Sequence, residues 1–477
     1  MSRKGKLDIV LENVVIENVA AEGKAIAHVR LDSDEPDGEG RVLFVEFAVP
    51  GDVVDVRVTR KKKSFLEGRI IRIKKPSKDR LEPFCSHFGI CGGCRWQPLP
   101  YEIQLRAKQR QVYDQLTRIG HLQVPQFEPI IGSKKTIGYR NKLEYSASNK
   151  RWILDSENPE ALSEKEMQGL GFHVGKFFDK VLDIDHCYLQ EEPSNELRLF
   201  IKDYAIRNDL TFYDIRRNCG LLRNMFVRTA CDGQAMLTIC FGEDSPAIKP
   251  MLDAIRQRFP DLTSLYYVIN TKGNDSISDQ ECILHSGAPA LYERMEGLRF
   301  RIGPKSFYQT NTAQALQLYA KARDFAGLDG SQTVYDLYTG TGTIAQFVSG
   351  AAKKVVGIEY VPEAIEDARA NAAANGITNC EFFAGDMKDV LTDGFIRTHG
   401  RPDVMIVDPP RAGMHPDVVA TILRALPSRI VYVSCNPASQ ARDISLMADK
   451  YRITAVQPVD MFPHTQHVEN ICKLELC

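Results

Sequence analysis

The chain has 477 residues, twelve of them cysteine, and a formal net charge of −1 from 61 Lys and Arg against 62 Asp and Glu. That length leaves room for about two to four domains, each able to close its own core. No apolar run reaches the eighteen or so residues of a membrane span, which excludes an integral helical membrane protein, and Met1 to Lys6 lack the apolar stretch of a secretory signal, so a cytoplasmic location is expected. Without export, the cysteines are expected as reduced thiols or metal ligands rather than disulfides.

Residues 8–16, 41–45, 52–58 and 67–73 read as short strands between Gly- and Asp-rich turns, a pattern that makes a small β-barrel. The total charge conceals a local excess. From Arg57 to Arg80 there are eleven basic residues against two acids, Glu67 and Asp79. Such a stripe is either a solvated face or a surface that neutralises the phosphates of RNA or DNA.

Cys85, Cys91 and Cys94 follow within ten residues, with Gly92 and Gly93 leaving the backbone free to wrap a metal centre. Four thiolates suit an iron-sulfur cluster or a structural zinc. Cys187 leads the candidates for the fourth ligand, ahead of Cys219, Cys231 and Cys240 in segments that read as core strands or their edges. Residues 101–122 have helical periodicity, with Ile103, Leu105, Val112, Leu116 and Ile119 apolar and a basic face of Arg106, Lys108, Arg110 and Arg118. A mixed α+β region then runs to about residue 290; within it Arg140 and Lys142 suit RNA contact or a solvated strand face.

From Val334 strands and helices alternate. Residues 334–344 form a strand entering a glycine turn, Val355 to Glu359 ends in an acid, Gly385-Asp386 follows, and residues 403–408 make another apolar strand. This is a doubly wound sheet, with Glu359 placed to accept hydrogen bonds from ribose hydroxyls. The turn lacks the third glycine of Gly-x-Gly-x-x-Gly and a helix start suited to pyrophosphate, so S-adenosylmethionine fits better than NAD. Two apolar runs end in polar motifs: Asp408-Pro409-Pro410-Arg411 and Ser434-Cys435-Asn436-Pro437. Cys435 thus lies where open α/β sheets bind ligands, either as a reactive thiol or as an inert buried one.

Taken together, Phe307-Tyr-Gln-Thr-Asn311, Asp336-Leu-Tyr-Thr-Gly-Thr-Gly-Thr343, Val407-Asp-Pro-Pro-Arg411, Val433-Ser-Cys-Asn-Pro437 and His467-Val-Glu-Asn470 resemble the motifs of RNA uracil-5-methyltransferases. The barrel resembles a TRAM domain, and Cys85, Cys91, Cys94 and Cys187 match that family's four-cysteine [4Fe-4S] pattern. Thr339 departs from it, standing where many members carry Cys or Ser. The resemblance implies a Rossmann-like S-adenosylmethionine-dependent α/β domain at 291–477, a central α+β iron-sulfur domain at 77–290 and an OB-like TRAM barrel at 1–76, with the 101–122 helix able to pack on the catalytic domain. It implies Cys435 as the nucleophile that adds to uracil C6 and Glu469 as the base that removes the C5 proton. Gln309 and Asp408 would hold base or cofactor, and Glu359, Tyr338 and Asp386 would lie along the adenosine. The implied substrate is 23S ribosomal RNA, with the T loop of tRNA as the alternative, and the implied state a monomer.

Other readings share some of these motifs. Amino-methyltransferases follow Asp-Pro-Pro with an aromatic residue that stacks on the flipped base, but Arg411 stands there, favouring carbon methylation. A cytosine-5 enzyme would use the same thiol addition and differ only at the pocket edge. A noncatalytic RNA-binding factor would keep the barrel and the cysteines but has no use for Cys435 and Glu469.

Overall fold

The computed structural model describes residues 9–31, 40–175 and 177–477. Asp8, where the first strand was expected to begin, and the Met1 to Lys6 stretch lie outside them.

Three sheets organise the chain. In the first, six strands stand in the order Val10–Val15, Val53–Lys61, Phe65–Lys75, Arg41–Val45, Ala25–Val29, Asn18–Val19. All pairs are antiparallel except Arg41–Val45 with Phe65–Lys75. Alternation explains the barrel: Val54, Val56 and Val58 point inward against Leu43, Val45 and Leu66, while Arg57, Thr59 and Arg69 point out. Most of the basic stripe therefore lies on one long hairpin, Val53–Lys61 and Phe65–Lys75, with Lys62 and Lys63 at its tip. Arg80 differs, since it forks onto the buried Asp52 carboxylate.

The second sheet has seven strands in the order Ile283–Gly287, Ser264–Ile269, Ala235–Phe241, Leu222–Thr229, Lys142–Ser148, Gly169–Val174, Phe177–Asp183. Helices Ser194–Arg207 and Ile248–Arg258 close its core through Leu197, Ile201, Met251 and Ile255. A hairpin, Leu291–Met295 with Leu298–Ile302, leads to helix Thr312–Ala326.

The third sheet runs Cys380–Ala384, Lys354–Glu359, Thr333–Leu337, Val404–Val407, Arg429–Ser434, Glu469–Leu476, Tyr451–Val459. The first five strands are parallel and the last two antiparallel. Its central strands are covered on both faces, which is why they read as unbroken apolar runs: Val404 to Val407 are all buried. Chain order reverses beside Thr333–Leu337, so its C-terminal end and that of Val404–Val407 form a switch point where a ligand can enter.

Helix Tyr101–Asp114 leaves the cysteine segment and packs on this third sheet, placing Val112 and Leu116 in its core. One expectation fails here. Lys108, assigned to a basic solvent face, is fully buried, its Nζ donating to Asp460 Oδ1 at 2.6 Å and to the Phe462 carbonyl at 2.9 Å. Periodicity reports which side of a helix is apolar; it cannot report an acid that arrives from 352 residues away.

Candidate active site

The site is built at the C-terminal ends of the parallel strands. Tyr338 leaves Thr333–Leu337 with φ of 65°, a conformation uncommon for a non-glycine residue, and the turn continues through Gly340 and Gly342 at 56° and 73°. At Gly342 a Cβ would come within 2.8 Å of the Phe382 ring and 2.9 Å of the Ala368 methyl, so both conformation and space demand glycine there.

Glu359 ends the neighbouring strand. Its two carboxylate oxygens accept from the backbone N–H groups of Gly340 at 3.1 Å and Val361 at 3.0 Å, which fixes the carboxylate beside the turn with lone pairs to spare. Asp386 caps the next short helix by accepting from Lys388 N. Asp386 and Glu359 both lie near enough to Tyr338 for their charges to help burial raise its phenol to about 12. These three expected residues therefore share one end of the sheet.

Asp336 was not singled out from the sequence. It is buried beneath the turn, takes Thr339 Oγ1 and Ala345 N on one oxygen and leaves the other without a partner. Burial, reinforced by Glu359, raises its pKa to about 7. The signal was present as the acid one turn before the glycines, but only packing reveals the orphaned oxygen. Thr339, the departure from the family pattern, is the residue that holds it.

The second half of the site surrounds Cys435. Strand register explains its company: Ser434 stands opposite Asn470 on the antiparallel Glu469–Leu476 strand, so the residues next to that pair, Cys435 and Glu469, converge at the same strand end. Asn470 is locked by Gln440 Oε1 at 2.7 Å. Burial raises Glu469 to about 8, Asp408 adds to the rise and Arg411 opposes it. Burial likewise lifts Asp408 to about 7, with Asp336 adding to it. Cys435 is half-buried, and desolvation together with Glu469 and Asp408 pushes its thiol to about 11, while Arg411 pulls it down through a hydrogen bond. A nucleophilic thiol needs a depressed pKa or a neighbouring base to act near neutral pH. Cys435 therefore has acidic neighbours and no depressed pKa, because burial and the nearby Glu469 and Asp408 outweigh the one guanidinium of Arg411.

Gln309 is half-buried, and its backbone carbonyl accepts from Asn141 Nδ2 at 2.8 Å. Asn311 caps helix Thr312–Ala326 and donates to the Met461 carbonyl, joining this loop to the segment that leads into Glu469. Of the two aromatics that open this motif, Tyr308 is buried against Phe300, whereas Phe307 is 68% exposed. His467, inside the Glu469 motif, was also passed over; burial and then nearby Arg411, Lys108 and Arg140 lower it to about 4, so it is neutral near pH 7.

Cys85, Cys91, Cys94 and Cys187 line one cavity of about 340 Å³, walled by Phe84, Phe88 and Phe172. Their thiols feel each other: burial raises Cys94 to about 12, and Cys91, Cys187 and Cys85 contribute. Fold contacts bring the segments together, since Cys91 bridges to Val174 and Cys187 N donates to Asn195 Oδ1. Among the described residues no group of three or more Cys, His, Asp or Glu is drawn around a single-ion position. Cys219, Cys231 and Cys240, the other candidates for fourth ligand, do not line this cavity.

Comparison with known proteins gives the same reading of the two ends of the chain. Residues 293–476 match the tRNA (uracil-5-)-methyltransferase family model, and residues 12–71 match the TRAM domain. An uncharacterized RNA methyltransferase of Porphyromonas gingivalis is 55% identical over 467 residues, covering 96% of this chain and 98% of its own. One from Chlorobaculum tepidum is 40% identical over 441 residues, covering 91% of each. Among solved structures, the tRNA (uracil-54, C5)-methyltransferase of Pyrococcus abyssi, in complex with S-adenosyl-L-homocysteine, superposes with a TM-score of 0.73 at 28% identity, covering 97% of this chain and all of that one. With the matched motifs lying at the strand ends that build the site, the chain belongs to the RNA uracil-5-methyltransferase family and has an N-terminal TRAM domain.

Proposed function

We propose that the protein methylates C5 of a specific uridine in 23S ribosomal RNA, using S-adenosylmethionine. The observation that carries this reading is the convergence of Cys435, Glu469, Asp408 and Arg411 at one end of the third sheet. S-adenosylmethionine would supply an electrophilic methyl on a positively charged sulfonium. The residues suited to hold it are Glu359 and Asp386 along the adenosine, Tyr338 at the turn, and Asp408 and Gln309 toward the reacting base; the glycine turn and the orphaned Asp336 oxygen fit a phosphate-free nucleoside.

The base must leave its RNA fold to reach Cys435. Cys435 forms a bond from sulfur to C6, and the C5=C6 electron pair moves toward O4, leaving C5 nucleophilic. Arg411 favours the thiolate that this step needs. After C5 has taken the methyl group, ionised Glu469 removes the C5 proton; the double bond reforms and the S–C6 bond breaks, releasing the thiolate. Asp408 suits the uracil N3–H as an acceptor, and a carboxyl whose pKa burial lifts to about 7 ionises more readily once a cation lies beside it.

The cysteines suit a [4Fe-4S] cluster held by Cys85, Cys91, Cys94 and Cys187. What supports it is one apolar cavity shared by four thiols, roomier than the tetrahedral shell of one zinc ion. A cluster there would tie the 85–94 loop to the turn at Cys187. The chain acts as a monomer in this reading, with the basic hairpin of the barrel along the RNA backbone.

RNA containing 5-fluorouridine tests the mechanism, because fluorine does not leave as a proton does: with S-adenosylmethionine the wild type should be trapped as a covalent adduct. No adduct with any ribosomal or transfer RNA, or one that survives Cys435→Ala, refutes it. A second reading, the T-loop uridine of tRNA, is favoured by the tRNA (uracil-54, C5)-methyltransferase of similar fold. Mapping 5-methyluridine in cells lacking the protein separates the two, and loss confined to tRNA would overturn the ribosomal assignment.

A further inference from the structure

We propose that a cleft between the central sheet and the loop before Phe307 is a phosphate subsite that grips the RNA backbone beside the target uridine. Its floor is a cross-strand patch: Lys142 stands directly opposite Arg228, and Glu144 opposite Phe226, on paired strands Lys142–Ser148 and Leu222–Thr229. Pro304 and Lys305 form the facing wall, enclosing about 350 Å³.

The charges in this cleft are unusual for a sheet surface. Like charges directly opposite each other destabilise a strand pair unless something neutralises them. Here no ion pair does so among the described residues. Arg228 is 5% exposed, and its guanidinium donates only to carbonyls, to Ser306 at 2.6 Å and Pro304 at 3.4 Å, while its Nε has no partner. Among the described residues neither Arg228, Lys142 nor Lys305 has a carboxylate within ion-pair distance. Lys142 instead lies 5.6 Å from the centre of the Phe226 ring. Two acids share the cleft and do not cancel it. Asp275 is held by Arg223 at 3.0 Å, and Glu144, whose pKa burial raises and Lys142 lowers, stands opposite Phe226 rather than Arg228. Burial and Arg228 together bring Lys142 down to about 8, and Glu144 offsets that fall only in part.

Position supplies the function. Ser306, whose carbonyl anchors Arg228, precedes the 68%-exposed Phe307 by one residue and Gln309 by three. Asn141, adjacent to Lys142, holds the Gln309 carbonyl and Thr312 Oγ1. A phosphodiester in the cleft would thus hold the strand next to a nucleotide presented at Gln309, with Phe307 free to stack on a flanking base. This deepens the proposed function and rests on its placement of the target uridine.

The test uses the full-length protein, a labelled oligouridylate and the variants Lys142→Gln, Lys305→Gln and the double variant. Arg228 is left alone because it also holds the loop. Binding is followed by fluorescence anisotropy between about 50 and 200 mM salt, where each single-strand phosphate contact contributes roughly 0.7 to the slope of log K against log salt. The double variant should bind roughly tenfold more weakly at the lower salt, with a slope smaller by about 1. S-adenosylmethionine affinity should be unchanged. Unaltered slope and affinity would overturn the subsite, and Lys305→Gln, at an exposed position, decides the matter by itself if the Lys142 variant fails to fold. Inorganic phosphate replacing chloride at constant ionic strength forms a second arm: it should displace the oligouridylate from the wild type more than from the double variant, and phosphate that binds through the two lysines without displacing RNA would mean a free-anion site and overturn the RNA assignment. Lysine-dependent binding without any 5-fluorouridine adduct would preserve the cleft and sink the catalytic reading; an adduct with unaltered salt slopes would do the reverse.

Discussion

Replacing Glu469 by Gln should stabilise the protein while stopping its turnover. The Glu469 pKa stands at about 8 against the ordinary 4.5, chiefly because burial penalises its charge and Asp408 adds repulsion. An acid whose folded pKa is raised gives its full share of stability below the unfolded pKa and loses it as pH rises through the folded one. The loss therefore develops between about pH 4.5 and 8. At pH 7 the unfolded chain would ionise this group freely and the folded one would not, a difference of about 3 kcal/mol; at pH 5 it shrinks to about 1 kcal/mol. Glutamine keeps the shape without the titration, so thermal melting at pH 7 should rise by about 5–10 °C for a unit of this size. The gain should shrink toward pH 5. Equal melting of the two proteins at pH 7, or a gain as large at pH 5, would refute the placement of a desolvated acid here. In the same variant the reaction should halt after methyl transfer, accumulating a protein–RNA adduct from ordinary uridine substrate. Free product formed at the wild-type rate would remove Glu469 from its role.

Other consequences follow from individual contacts. Lys108→Met leaves Asp460 buried with Tyr101 and Phe462 N–H as donors but no cation, and should destabilise by about 3–5 kcal/mol in urea unfolding. Adding Asp460→Leu should recover part of that loss, and a strictly additive double variant would count against the pair. Gly342→Ala forces a left-handed turn and a close approach to Phe382, and should destabilise by about 1–3 kcal/mol while weakening S-adenosylmethionine binding in calorimetry. Anaerobically purified protein should be brown and contain about four irons, lost on Cys94→Ser; stoichiometric zinc without iron would overturn the cluster.

Much of this molecule is legible from local pattern. The runs ending at Asp408 and Cys435 announce strands covered on both faces, the glycine turn after Leu337 announces a ligand edge, and the alternation around Val54, Val56 and Val58 announces a barrel wall. Strand Ala25–Val29 escaped notice because Ala25, Ala27 and Val29 are weak hydrophobes flanked by polar turns, and its place depends on pairing with Arg41–Val45.

The sequence by itself determined which segments alternate as barrel strands, which run unbroken as buried strands and which strand ends carry polar motifs, because those follow from periodicities of two and 3.6 residues and from motifs a few residues long. Only the tertiary structure decided the partnerships: that Lys108 is buried against Asp460, that the Cys435 thiol is raised to about 11 by burial with Glu469 and Asp408 nearby, and that Lys142 faces Arg228 across a strand pair. Each of these depends on strand register and desolvation, properties set by residues far apart in the chain, and no local pattern encodes them.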